Sequence, residues 1–184
     1  MLKKYFYLMV LLGLLMSLFA VAPVQTAHAL PTTWTVGTLA DAAADGNCST
    51  PAVCTLRDAL GLAADGDTIN ITPTGTLTMN AAQGTFGAGS AVTIVGPGSA
   101  NLTIDAGNNG NRIFTINNSA TSVTISGMTL IHGQTSDYGP TNQGGAISTD
   151  TSLSLNDVII DLNSSISYGG GISAQTTTGQ KTLT

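Results

Sequence analysis

The chain has 184 residues, a formal net charge of −5 and only 8% charged side chains. All of its acidic groups are Asp, and Lys plus Arg number only 5, too few for a basic patch that neutralises phosphates, which argues against nucleic acid as a partner. The abundance of Thr, Asn, Ser and Gly does not imply disorder, because β-branched residues recur in alternating runs, as half-buried strands do.

The first 29 residues have the pattern of a secretory signal peptide. Lys3 and Lys4 give a positive start, Tyr5 to Ala22 is apolar, and Ala27-His28-Ala29 is a small-x-small cleavage site. The apolar run, at roughly 18 residues, is also long enough for an uncleaved anchor. The cleavage site and the Thr-rich chain after it favour removal. Beyond residue 29 only Arg57, Arg112 and Lys181 are basic. In an exported chain Cys48 and Cys54 are expected to form a disulfide closing a small loop. The alternative, a zinc site, wants four ligands, and no His lies near the two thiols.

Residues 30–67 form the first segment. Trp34-Thr35-Val36 is strand-like. Thr55 is an N-cap candidate with Asp58 three residues on, a capping-box pattern. Leu56, Ala59, Leu60 and Ala63 follow at helical spacing, and Asp65-Gly66-Asp67 stops the helix. From Thr68 onward, in residues 68–184, the period becomes two. The apolar pairs are Ile69/Ile71, Leu77/Met79, Val92/Ile94, Leu102/Ile104, Phe114/Ile116, Val123/Ile125, Met128/Leu130, Leu153/Leu155 and Val158/Ile160. Thr, Ser or Asn mostly stands between the partners, giving apolar-in, polar-out alternation. Turns fall at Gly96-Pro97-Gly98, Gly107-Asn108-Asn109-Gly110 and Asn117-Asn118-Ser119. Ala81 to Ser90 and His132 to Gln143 are expected to be loops.

Gly144-Gly145-Ala146-Ile147-Ser148 returns 25 residues later as Gly169-Gly170-Gly171-Ile172-Ser173. Val123–Leu130 returns loosely as Leu153–Ile160, 30 residues later. Short strands at such a period predict a stacked, solenoid-like all-β architecture, although alternation alone equally describes an antiparallel sandwich. Gly144, Gly145, Gly169 and Gly170 are expected to be structural, at positions where the chain bends or backbones approach closely. A stack leaves an unpaired strand edge at its start, and the helix before Thr68 is placed to cover it. The last strand-like run, Lys181–Thr184, suggests that the repeats are incomplete at Thr184.

Two stretches resemble known families. Val36-Gly37-Thr38-Leu39-Ala40-Asp41, Asp45-Gly46-Asn47-Cys48 and Cys54-Thr55-Leu56-Arg57-Asp58-Ala59-Leu60 resemble the CSLREA domain, which precedes secreted β-helix repeats in bacteria. Thr55 stands for its Ser and Asp58 for its Glu. The remainder is similar to right-handed parallel β-helix proteins and, more loosely, to polymorphic outer-membrane protein repeats, through Gly144-Gly145-Ala146-Ile147 and Phe114-Thr115-Ile116-Asn117. The resemblance implies a secreted or surface-exposed β-helix with an N-terminal cap and structural rather than catalytic motifs.

Candidates for chemistry are sparse. Arg112, His132, Asp105, Asp150, Asp157 and Asp161 are scattered, whereas glycoside hydrolysis needs paired carboxylates. Asp41–Gly46 echoes a calcium loop, but Ala43 and Ala52 occupy ligand positions, so the EF-hand pattern fails. Tyr138 and Tyr168 are aromatic groups that could stack on sugars. No catalytic residue, metal or cofactor is therefore expected. The expected role is a non-catalytic scaffold, outside the cell or on its surface, whose partners are extracellular glycans or surface proteins. Membrane contact would come only through the signal segment or a C-terminal anchor. The competing expectation is the N-terminal part of a carbohydrate-active lyase or hydrolase whose active site lies beyond residue 184.

Overall fold

The computed structural model describes residues 30–117, 122–136, 143–175 and 183–184. The expected signal peptide, Tyr138 and Lys181 lie outside these residues. The strands are β1 (Thr33–Val36), β2 (Thr68–Ile71), β3 (Gly75–Thr78), β4 (Phe86–Ala88), β5 (Thr93–Val95), β6 (Leu102–Asp105) and β7 (Phe114–Ile116). They continue with β8 (Ser122–Ile131), β9 (Gln134–Thr135), β10 (Ile147–Thr149), β11 (Ser152–Asp161), β12 (Ser164–Ser165) and β13 (Ile172–Ala174). The α-helix among the described residues is α1 (Leu56–Leu62).

All pairing between these strands is parallel, which rules out the antiparallel sandwich. One sheet runs β1-β2-β5-β8-β6-β3, with β11 also paired to β8. A second runs β13-β10-β7-β4, and β12 pairs with β9 in a third. The chain leaves one sheet, crosses to the next and returns beside its earlier strand, so each circuit lays down one level of a stack. β8 combines two strands, β5 and β6, that are separate one level down, and β11 pairs with β8 along its length. The first half of β8 lies on β5 and its second half on β6, with Gly127 (φ 68°) as the joint.

Register turns the alternating pattern into columns of like residues. Trp34, Ile69, Ile94, Ile125 and Leu155 lie above one another, as do Leu77, Ile104, Leu130 and Ile160. A third column holds Phe86, Phe114, Ile147 and Ile172, with the two rings 5.8 Å apart. The inner members of these columns are fully buried. Burying each such side chain stabilises the fold by about 1.5–3 kcal/mol before entropy is counted. No level could hold this apolar surface alone, so the stack is the unit of stability.

Two expected loops contain strands. Ala81–Ser90 forms a 3₁₀ turn (Ala81–Gln83) and then β4, because Phe86 and Ala88 alternate inward around Gly87 and β7 supplies a partner. Likewise Gln134–Thr135, within His132–Gln143, pairs as β9 with β12. Both are too short to stand out by periodicity and exist because a neighbouring level is there to pair with them.

The corners use left-handed backbone. Asn108, His132 and Leu162 have φ between 54° and 58°, and Asp157 has φ 51°. Leu162 is 64% exposed, so its side chain gives little burial in return for that conformation. Leu162→Asn is expected to raise the unfolding free energy by about 0.5–1 kcal/mol, because Asn tolerates this region better. Gly144→Ala is expected to cost more than about 2 kcal/mol, since a Cβ there would run into the Ile147 carbonyl oxygen and the backbone is left-handed (φ 74°). Urea titrations of both variants measure these changes.

Candidate functional site

Two features collect the polar side chains: a knot at the start of the stack and a face of hydroxyls along it. In the knot, Thr55 caps α1. Its Oγ1 accepts from the Asp58 amide at 3.1 Å and donates to Asp58 Oδ2 at 2.6 Å, while the Thr55 amide reaches back to the same carboxylate at 3.4 Å. Asp58 Oδ1 also accepts from the amides of Asp45 and Gly46, which ties the Asp41–Gly46 segment to the helix. The amides of that segment thus turn onto a carboxylate. The Cys48–Cys54 disulfide is present and ends one residue before the cap.

Arg57 is the centre of this region. Its Nε and one terminal nitrogen form a two-pronged pair with Asp41 at 2.9 and 3.0 Å. The guanidinium also donates to the carbonyls of Gly84 and Thr85 and lies 4.5 Å from the Phe86 ring centroid. The column of Phe86, Phe114, Ile147 and Ile172 therefore starts under a cation. Asp41 accepts in addition from the Asn80 amide. α1 packs against β1, β2 and β4 and covers the sheet edge at this end.

Asp67, read from the sequence only as part of a helix stop, joins three elements. Its carboxylate accepts from the Thr32 amide at 2.7 Å, the Trp34 indole at 2.9 Å and the Ala64 amide at 3.0 Å. These donors, led by Thr32, hold its carboxyl below the ordinary range against a smaller opposing effect of burial. For Asp58 burial is the largest influence and acts upward, but the donors from Thr55, Gly46 and Asp45 together outweigh it, so this carboxyl is also lowered.

The other candidates stay dispersed. His132 Nδ1 lies 2.8 Å from Asp105 Oδ1, which also accepts from the Gly107 amide. Asp157 binds Ser99 through both its oxygens, and these bonds, the hydroxyl first, hold its carboxyl low. Asp161 Oδ1 accepts from the Leu162 amide. Arg112 is 8% exposed and its ordinary pKa is lowered by burial. Among the described residues Asp150 Oδ1 is buried without a hydrogen-bond partner. No group of three His, Cys, Asp or Glu side chains converges among the described residues. Tyr168 is 73% exposed. Gly144 donates to the Tyr168 carbonyl, and Gly145 to the carbonyls of Gly169 and Gly170, so these glycines stack level on level.

The hydroxyl face emerges only from register. Thr33, Thr68, Thr93, Thr124 and Ser154 pair in succession on the outward side of the first sheet, and the Ser154 hydroxyl lies 2.6 Å from that of Thr184. Beside it run Thr35, Asn70, Val95, Ser126 and Asn156. In the second sheet Thr115 and Ser148 repeat the device, and Ser173 continues their column but is buried, its hydroxyl donating to Gln143 Oε1. Neighbouring members are separated by the strand spacing of about 4.8 Å.

Among the described residues no helix is long and apolar enough to cross a membrane. Comparison of the chain with protein-family models, curated proteins and solved structures returns no match.

The carboxylates predict an acid limb. Asp58 and Asp67 titrate lower in the folded chain than in the unfolded one. Their contribution is complete above the unfolded value of about 4 and is lost as pH falls through the folded values. Unfolding free energy should be level from about pH 7 to 5 and fall below about pH 4. Asp67→Asn should lower it by about 1–3 kcal/mol at neutral pH and flatten the acid limb. Arg57→Lys should cost about 2 kcal/mol, because an ammonium cannot make the forked pair, reach both carbonyls and stack on Phe86 together. Chemical denaturation across pH tests all three.

Proposed function

We propose that this chain is a right-handed parallel β-helix of an exported protein, closed at its start by a CSLREA-like cap, and that it serves as a non-catalytic scaffold binding glycans or proteins outside the cell. The parallel pairing and the return of the chain beside its earlier strands support the β-helix, and strand–crossover–strand connections between parallel strands are almost always right-handed. The motif residues Cys48, Cys54, Thr55, Arg57 and Asp58 all lie in the knot at the start of the stack, which supports the cap. The disulfide is compatible with an oxidising, extracellular setting.

The observation that carries the binding role is the in-register face of Thr33, Thr68, Thr93, Thr124 and Ser154. Hydroxyls both donate and accept, and their half-exposed spacing offers a polyhydroxylated chain many equivalent, uncharged contacts. Each contact is weak, so such a face works by length, as extended solenoid surfaces do. The Asp and Arg side chains around the knot are engaged in holding it together, which fits a scaffold better than a catalyst.

A glycan array probed with the purified chain tests this reading. Binding to at least one extended polysaccharide is expected, and Thr93→Val with Thr124→Val should weaken it by about tenfold while the unfolding midpoint holds. Loss of no bound glycan in the double variant would sink the assignment of this face.

A further inference from the structure

The chain carries Asn-x-Ser/Thr at Asn47, Asn70, Asn101, Asn117 and Asn163, the acceptor pattern for N-linked glycosylation in exported proteins. In a chain rich in Asn, Ser and Thr such triplets arise by chance, so the surroundings of each amide decide which can react. Asn70 lies inside β2, paired on its two sides with Thr35 and Val95, and the Thr72 hydroxyl donates to the Val36 carbonyl. The Asn101 side-chain nitrogen donates to the Pro97 carbonyl at 3.0 Å, and Leu102 beside it is 0% exposed. The Asn163 side-chain nitrogen donates to the carbonyls of Leu130 and Asp161 at 2.9 and 2.8 Å. The serine of the Asn117 triplet, Ser119, lies outside the described residues.

Asn47 differs on each count. It is exposed, on a segment without helix or strand in which residues 42–46 and 49–53 are exposed as well. Its Oδ1 accepts from the Ser49 hydroxyl at 2.8 Å and from the Ser49 amide at 3.2 Å. These bonds engage the oxygen alone, and among the described residues Asn47 Nδ2 has no hydrogen-bond partner. Donors on the carbonyl oxygen also polarise the amide and make its N–H more acidic, the direction an amide must move to act as a nucleophile. Asp45, two residues before, is exposed, and its Oδ1 accepts from the Asn47 amide at 2.8 Å, so a carboxylate is held in place beside the acceptor. The loop is anchored by the Asp45 and Gly46 amides on Asp58 and by the Cys48–Cys54 disulfide.

We propose that Asn47 is the acceptor for an N-linked oligosaccharide, attached to the folded chain by a transferase that reads Ser49 and Asp45. The donor class is an oligosaccharide carried on a polyprenyl pyrophosphate. The bond from Asn47 Nδ2 to the first sugar's C1 forms as the C1–O bond to the pyrophosphate breaks. The lipid pyrophosphate leaves with the bonding electrons, and one amide proton passes to a carboxylate of the transferase. The Ser49 hydroxyl is the hydrogen-bonding handle two residues after the acceptor, and Asp45 offers a charge-assisted contact to a basic side chain of the enzyme. The signal-peptide pattern and the disulfide fit a compartment outside the cytoplasm, where such donors are used. The assignment does not depend on the hydroxyl face.

The test incubates the full, oxidised chain with a bacterial oligosaccharyltransferase that acts on folded proteins and a polyprenyl-pyrophosphate-linked oligosaccharide. Intact mass and electron-transfer fragmentation read the products. A mass increase of one oligosaccharide, placed on Asn47, is expected. Asn47→Gln and Ser49→Ala should abolish it, Ser49→Thr should keep it, and Asp45→Asn should slow it at least about tenfold. The three positions are exposed, so these variants should fold, with urea midpoints close to that of the parent chain. No transfer to the folded chain, transfer to a different asparagine, transfer that survives Ser49→Ala, or transfer seen only after reduction and unfolding would overturn the proposal. An Asp45→Asn chain modified at the parent rate would overturn the part given to that carboxylate.

Discussion

Parallel pairing in register is the constraint on which the rest of this structure depends. Because each strand lies beside one of the same direction, each side chain sits over the side chain of the level below. A position chosen once is therefore chosen for the whole column. Ile69, Ile94 and Ile125 bury one another, and an inward polar residue in that column would be unpaired against neighbours on both sides. The same rule operates outside, where Thr68, Thr93 and Thr124 repeat a hydroxyl at each step. A core and a regular surface thus follow from one pairing rule.

Such a stack has ends, and an end exposes both apolar columns and unpaired backbone. The polar knot resolves this at the start by bringing charges in with their partners. Arg57 can lie over Phe86 because Asp41 and two carbonyls satisfy its donors. Asp58 can be 2% exposed because amide and hydroxyl donors surround its carboxylate. Asp67 fastens β1 to the start of β2 through Thr32 and Trp34. Removing any one member would leave another as a buried, uncompensated polar group, so the knot is expected to behave as a unit rather than as separable contacts.

Much of this was legible in the sequence where a signal was strong and local. The inward pairs from Ile69/Ile71 to Val158/Ile160 marked the strands, and Thr55 with Asp58 marked the start of α1. The Cys48–Cys54 bond followed from two cysteines in a chain whose first residues have the pattern of a signal peptide. What was not legible depends on contacts between distant levels. β4 hides in a Gly- and Ala-rich stretch with Phe86 as its one large apolar residue, and becomes a strand because β7 lies beside it. Arg57 stood in a recognisable string, but its partners Asp41, Gly84 and Thr85 lie on other segments. The hydroxyl face could not be read without the register that lines up its members.

The joint inside β8 bears on how such a chain can vary. Between the strands it connects, one level uses Gly96–Asn101, whereas the next uses Gly127 alone and the one after that Asp157 alone. The flanking pairs keep their register in every case. The longer segment folds along the outside of the stack, where Ser99 accepts from the Thr129 hydroxyl through its carbonyl and reaches Asp157 beyond it. Length at this corner is thereby uncoupled from the core. It is a place where an inserted peptide, whether arising by mutation or grafted by design, could be displayed at a chosen height along the protein without disturbing the levels above or below.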